Sequence, residues 1–495
     1  MQFPIKNKSF VFLPYFVALI VVSLIFMNSI SNFSGKKYIP PPVYSDEHQY
    51  LAMSVNIFEY KIISHDDPRY GKDKVAPAWY REPLYPILLS LSFNFIKWDK
   101  FNYKECIYSN YDSKCNNLYK TAYTFNLLIY FLIFFSSLII LHKKIIASFF
   151  LIFIFCVIDP ANTISNFAPE LLSSLILIIF SYTLYLSMIK KKNNILFLIL
   201  SGFSFAALIY IKNIFYYLSL LLILISFFLL LANFINIHFA RKLKFHFNLK
   251  IIARIMIISL LAIILVLPYQ IRNLFNFGET SLTKRGPEVL TLRNEFLNFS
   301  YEELNDGFIW YLNNFFNFKD EYIKNKIIDT DFKFYEQNDS SFYRAYNRSY
   351  GYIISRINNS YNKNFKSVED IAIKGETDLL TKFNIETYLR NIPKQIYISL
   401  VIFFRGINNH SYLYDNYSLS NFISDTLWYF IIFNLIFTFF LSIIKKNLFF
   451  FITGLPSIFF IFAMSSLTQF EPRFSYTIIH FCVISSILYL YDKKN

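Results

Sequence analysis

Residues 169–212 read PELLSSLILIIFSYTLYLSMIKKKNNILFLILSGFSFAALIYIK, and this stretch decides the fold. Two apolar runs, 169–189 and 194–211, approach the about 20 residues that a helix needs to cross hydrocarbon. Between them lies the cationic turn Lys190-Lys191-Lys192. Their far edges carry one acid, Glu170, and one cation, Lys212. The pattern is that of a helical hairpin in a membrane, with its lysines on one side.

The same pattern extends along the chain. Apolar segments at 9–28, 118–141, 145–160, 169–189, 194–211, 214–236, 251–270, 424–444, 447–464 and 475–491 predict about ten spans. Short turns on one side carry Lys6, Lys8, Lys143, Lys144, Lys190, Lys191, Lys192, Arg241, Lys242, Lys244, Lys250, Lys445, Lys446, Lys493 and Lys494. Short turns on the other carry only Lys212 and Arg473. The positive-inside bias puts the first set, and both termini, in the cytoplasm. The expected location is a bacterial plasma (inner) membrane. The long polar loops then lie outside. Ser29-Ile30-Ser31 after the first segment leaves a cleaved signal as an alternative.

Composition agrees with an all-α polytopic membrane protein. A charged fraction of 16% and a mean hydropathy of +0.38 suit a lipid environment better than a soluble chain of this length. The net charge of +15 is largely topogenic lysine, so anionic headgroups are the expected partner and nucleic acid is not. No repeat, Gly/Ser linker or second autonomous domain is legible. The expected organisation is a seven-span module over 1–270, which includes an outer loop at 29–117. An extracytoplasmic region at 271–423 follows, with an interfacial helix over 383–404, and three spans close the chain over 424–495. The apolar piece 84–96 is too short to span and reads as a juxtamembrane helix. Cys156 and Cys482 fall in apolar spans and read as packing residues. Cys106 and Cys115 lie in the outer loop, where a bridge is permitted and two free thiols are the alternative.

Several residues carry chemical potential. Ser45-Asp46-Glu47-His48-Gln49-Tyr50 reads as a helix start, with acids favourable to the dipole. It also reads as a carboxylate poised as a general base, since adjacent Asp46 and Glu47 repel. His48 beside them reads as an exposed bystander. Arg81 in Trp79-Tyr80-Arg81-Glu82-Pro83-Leu84-Tyr85-Pro86 is either an interfacial anchor or a ligand for an anionic headgroup. Glu170 at the edge of hydrocarbon is costly if ionised, and a structural ion pair is the alternative to a substrate role. Lys212, Arg272 (in Pro268-Tyr269-Gln270-Ile271-Arg272-Asn273) and Arg473 (in Glu471-Pro472-Arg473-Phe474) reach the same predicted face. Cations there would stabilise a departing phosphate. No nucleotide loop, dinucleotide fingerprint, zinc spacing or Gly-x-Ser-x-Gly is present, so an activated substrate should arrive attached to lipid.

Together these residues resemble the GT-C membrane glycosyltransferases, in particular the protein O-mannosyltransferase-like and aminoarabinose-transferase-like branch. The likeness rests on Asp46-Glu47, Tyr50-Leu51-Ala52, Arg81 to Pro86, Pro169-Glu170, Pro268 with Arg272-Asn273 and Gly278, and Arg473-Phe474. It implies a sugar moved from a polyprenyl-phosphate donor to an envelope glycan, lipid or protein acceptor, by a single inverting displacement. Asp46 would be the catalytic base and Glu47 the second acid. Arg81, Glu170, Lys212, Arg272 and Arg473 would bind or orient the donor. No cofactor beyond the lipid-linked sugar is implied, and a divalent metal is left open. Lys212 departs from the arginine expected there and lacks its bidentate fork. Residues 300–380 match nothing in the family pattern. A polysaccharide polymerase or ligase is the rival enzyme. A transporter is the rival from another class, opposed by only 10 glycines and no internal symmetry.

Overall fold

The structure, a computed structural model, describes residues 13–21, 23–24, 45–95, 106, 115–141, 144–157, 164, 167–189, 194–239, 249–316, 352–367, 370–371, 374, 376–407, 419–445, 447–468 and 472–492. Among them every regular element is helical. In chain order these are α1 (Asp46–Tyr60), α2 (Leu84–Phe95), α3 (Asn116–Ile140), α4 (Ile145–Val157), α5 (Glu170–Ile189), α6 (Asn194–Ile211), α7 (Ile214–Phe239) and α8 (Leu249–Phe277). They continue with α9 (Gly286–Glu295), α10 (Tyr301–Phe316), α11 (Thr377–Arg390), α12 (Ile392–Ile407), α13 (Leu419–Ile444), α14 (Leu448–Leu467) and α15 (Tyr476–Asp492). A further helix covers 352–361.

Seven of these are long and apolar enough to cross a membrane: α3, α5, α7, α8, α13, α14 and α15. The chain is an all-α, multi-pass membrane protein. Three other apolar helices, α2, α4 and α6, are shorter. The expected first span is described only at 13–21 and 23–24, where Tyr15 donates to the Leu138 carbonyl of α3 at 3.2 Å. The turn Lys190-Lys191-Lys192, Glu471, and residues 317–351 lie outside the described residues.

Contacts divide the chain into two compact units. The first comprises Met1–Thr283, Asn434–Ser457 and Tyr476–Asn495; the second comprises Lys284–Phe433 and Ile458–Ser475. In the first unit α5 is central, with 72% of its apolar window buried against 22% for α7. It packs on α3, α6 and α15. Apolar residues of α7, such as Leu221, Leu224 and Phe228, face outward, as lipid contact requires. Small residues let helices approach closely: Gly202 of α6 has Leu261 of α8 where a Cβ would go. The sequence pattern predicts the end of a span at 270, before which Pro268 stands. The helix instead continues through Pro268 to Phe277. Proline removes one intrahelical bond, a loss this long packed helix tolerates. Gly278 then stops it with φ +73°, a conformation glycine adopts without strain.

The second unit buries a polar network. Arg293 of α9 is fully buried and donates from Nε to Gln395 Oε1 (2.9 Å), from Nη2 to the Gln395 carbonyl (2.8 Å) and Ser399 Oγ (2.7 Å), and from Nη1 to the Ser465 carbonyl (3.1 Å). Asn294, Asn384 and Thr291 complete it through mutual hydrogen bonds. Around helix 352–361, Ile353, Ile357, Phe365, Ile371 and Leu380 form a small apolar core.

Candidate functional site

The first unit gathers its charged side chains where α5 begins, α6 ends and α1 runs. Ser45 caps α1 by accepting from the His48 amide at 3.2 Å, with Asp46 and Glu47 in the first turn. The loop after α1 folds back on it: the Asn56 side chain donates to the carbonyls of Ser64 (2.9 Å) and Asp66 (2.8 Å), and the Ala78 amide donates to Ile63 O (2.8 Å). That return brings Arg81 and Glu82 onto α1.

Asp46, Gln49 and Tyr50 lie at i, i+3 and i+4, so they share a helix face. Arg81, buried to 2% exposure, pairs from Nη2 with Asp46 Oδ1 and donates from Nε to Gln49 Oε1 at 2.5 Å. Its guanidinium also lies over the rings of Tyr50 (5.6 Å) and Tyr80 (5.4 Å). Its Nη1 is buried without a hydrogen-bond partner. The next residue, Glu82, accepts from the Tyr50 hydroxyl at 2.8 Å. Asp46 keeps 19% of its side-chain surface exposed, which leaves it reachable.

Glu170 and Lys212, the two edges of the hairpin stretch, meet: Lys212 Nζ is 2.7 Å from Glu170 Oε1. Glu170 is only 5% exposed at its side chain, and its Oε2 has no hydrogen-bond partner. Lys212 also acts on Glu82, and the Asn213 backbone amide donates to that carboxyl. Burial pushes the Glu82 carboxyl above the usual carboxylate range, against the opposing pull of Lys212, of its own backbone amide, of Tyr50 and of Asn213. Tyr85, at the start of α2, donates to Asn126 Oδ1 at 3.1 Å. Burial first, then Glu47 and, more weakly, Glu170 hold its phenol above the ordinary range, so both acids act on one hydroxyl.

Arg272 closes the cluster from α8. It donates from Nη1 to the Ala78 carbonyl (3.2 Å) and to Asn273 Oδ1 (2.8 Å) and lies over the rings of Tyr269 (5.3 Å) and Phe277 (5.4 Å). Trp79 stacks on Phe277 at 5.5 Å. The Tyr269 hydroxyl is buried without a partner and interacts electrostatically with both Arg272 and Glu82.

Six of the seven residues expected to form a site, Asp46, Glu47, Arg81, Glu170, Lys212 and Arg272, therefore belong to the first unit. Arg473 belongs to the second unit, in the 3-10 turn Pro472–Ser475, with its guanidinium 5.0 Å from the Phe474 ring. His48 is buried rather than an exposed bystander. Glu82, Tyr269 and Asn126 join the cluster without having been singled out by the sequence. The signal for Glu82 was its place beside Arg81 in the Arg81 to Pro86 motif, where the sequence reading gave it no role of its own. Among the described residues, no group of three or more His, Cys, Asp or Glu side chains is placed to hold a metal ion. Cys106 and Cys115 form a disulfide, with Cα atoms 5.0 Å apart.

Compared with known proteins, the chain matches no family model, no curated protein and no solved structure.

Proposed function

We propose that this protein is a GT-C-type glycosyltransferase with about ten spans. It transfers a sugar from a polyprenyl-phosphate donor to an envelope glycan, lipid or protein on the extracytoplasmic face of a bacterial plasma membrane. The observation that carries the reading is the buried Arg81, paired with Asp46 and Gln49 yet left with an unpartnered Nη1. A buried donor with nothing to bind is costly unless a ligand completes it. A phosphate oxygen would do so. Asp46, one residue from Glu47 and reachable from solvent, takes the proton of the acceptor hydroxyl. That oxygen bonds to the anomeric carbon as the bond to the lipid phosphate breaks. The phosphate leaves with both electrons of that bond, and Arg81, Lys212 and Arg272 offset its charge. The Cys106–Cys115 disulfide suits an extracytoplasmic loop, and the termini would then be cytoplasmic.

The test uses purified protein in vesicles, a polyprenyl-phosphate sugar and a glycolipid or peptide acceptor. Asp46→Asn keeps size and polarity but removes the base, so turnover should fall on the order of 10²–10⁴-fold while donor binding survives. Near-normal turnover would remove Asp46 from the mechanism. No transfer by the unmodified protein with any acceptor class would remove the reading itself.

A further inference from the structure

Tyr269 and Arg272 lie at i and i+3 on α8, so they share one face of that helix. The Arg272 guanidinium lies over the Tyr269 ring at 5.3 Å. From α6, the Tyr210 ring meets the Tyr269 ring edge-on at 5.8 Å, and the Tyr210 hydroxyl donates to the Leu265 carbonyl at 3.0 Å, which ties it back to α8. The phenol is thus held by two neighbours. Tyr269 is 8% exposed, and its hydroxyl is buried without a hydrogen-bond partner. A buried hydroxyl in that state is costly. The groups around it do not take its proton. A guanidinium has donors only. The Glu82 carboxyl, which acts on Tyr269, accepts instead from the Tyr50 hydroxyl and the Asn213 amide. Beside Glu82 in the chain, Arg81 leaves Nη1 buried without a partner as well. The cluster therefore holds two buried donors that the folded chain does not use, one of them against a cation.

We infer that Tyr269 is a binding residue for the phosphate of a lipid-linked donor, its hydroxyl donating to a phosphate oxygen whose charge Arg272 offsets. A phosphate presents several acceptor oxygens and asks for no acceptor in return, and an O–H bond to a charged oxygen is stronger than one to a neutral group. As the bond to the anomeric carbon breaks, the phosphate gains negative charge. The bond from Tyr269 then strengthens toward the transition state, which is where it accelerates the reaction. The inference rests on the glycosyltransferase reading for the sugar and the polyprenyl chain of the ligand, but not for its phosphate.

The test compares the unmodified full-length protein with Tyr269→Phe in phosphatidylcholine vesicles. The substitution deletes one oxygen and keeps the ring between Arg272 and Tyr210. Equilibrium binding of a radiolabelled polyprenyl-phosphate sugar should weaken about 10- to 100-fold, as for the loss of one hydrogen bond to a charged group. Transfer should lose kcat/KM by at least the same factor. Thermal unfolding without donor should stay where it is or move up, because a buried hydroxyl without a partner adds no stability. Unchanged donor affinity in Tyr269→Phe overturns the inference, and a lowered unfolding temperature beside it would make Tyr269 architecture. A second arm adds phosphatidylglycerol to the vesicles, since a lipid headgroup offers the same phosphate chemistry. Little competition is expected. Displacement of the donor by phosphatidylglycerol, weakened equally in Tyr269→Phe, would make the bound anion an ordinary headgroup and overturn the assignment to the donor. Tyr269-dependent binding without any transfer by the unmodified protein would sink the glycosyltransferase reading and leave the phosphate site standing.

Discussion

Two buried arginines, Arg81 of the first unit and Arg293 of the second, are treated differently. Arg81 in the first unit bonds through two of its three nitrogens and leaves Nη1 without a partner. Arg293 in the second unit uses all three, on Gln395, Ser399 and the Ser465 carbonyl. The first cluster also leaves Glu170 Oε2 and the Tyr269 hydroxyl unpartnered. A satisfied buried polar network rigidifies a core, whereas a buried charged group left with an unpartnered atom calls for an explanation, and a ligand is one. On the function proposed above, the comparison gives the Arg293 network a role in stability and the Arg81 cluster a role in activity.

The strongest way to break that assignment is Arg293→Met. It would leave Gln395 Oε1 and the Ser465 carbonyl without their Arg293 donor, at about 1–3 kcal/mol for each group left unsatisfied, while the Ser399 hydroxyl keeps its bond to the Gln395 carbonyl. Thermal unfolding in detergent should move down by many degrees, while the folded fraction transfers sugar at a near-normal rate. Loss of activity with unchanged stability would reverse the roles of the two units.

Next in size is the Glu170–Lys212 pair. Lys212→Met leaves a buried carboxylate alone, and removing one partner of such a pair costs roughly 3–5 kcal/mol. Adding Glu170→Gln should restore most of the stability, because a neutral pair needs no compensation. It should not restore activity if, as proposed, Lys212 offsets the charge of the leaving phosphate. A double variant that regains full turnover would make this pair architecture, like Arg293.

What the sequence showed of this arrangement follows a physical line. Seven of the expected spans were legible because their apolar length is dictated by the bilayer, and Glu170 and Lys212 stood out as charges at the edges of one hairpin. The apolar run ends at 270, so the span was read to there, whereas helix α8 continues about two turns further to Phe277. Glu82 stood only as one member of the Arg81 to Pro86 motif; the return of the loop onto α1, which sets it against Tyr50, is not legible in the local pattern. The Arg293 network was invisible. Its members lie at 291, 293, 294, 384, 395, 399 and 465, and the bonds between them span up to 172 positions, beyond any local pattern.

The disulfide offers a smaller effect, in the loop of the first unit. The chain-entropy model gives about 2–3 kcal/mol for a short bridge such as Cys106–Cys115. Cys106→Ser with Cys115→Ser should lower thermal stability accordingly and leave the affinity for donor unchanged. Alkylation of both thiols in unreduced, denatured protein would show that no bridge forms.

Glu295 gives the smallest and most discriminating test, because it is a buried acid of the second unit with one carboxylate oxygen left without a hydrogen-bond partner. It is 3% exposed; Oε1 accepts from the Ile353 amide at 2.9 Å and Oε2 has no partner. Burial pushes its carboxyl up to about 9, opposed only by that amide. A folded-state value above the unfolded one means that the unfolded chain ionises first as pH rises. Stability from this group is thus full below the unfolded value of 4.5 and is lost progressively toward 9. Glu295→Gln keeps the Ile353 bond and the shape of the protonated acid but has no charge to release. It should therefore stabilise the protein by about 1–2 kcal/mol at neutral pH, with a gain that vanishes at acidic pH and grows on the alkaline side. Transfer activity should not follow the same curve. A pH-independent gain would show that Glu295 is not held neutral. Destabilisation at neutral pH would show that its charge is used, and the second unit would then contain an open site of its own.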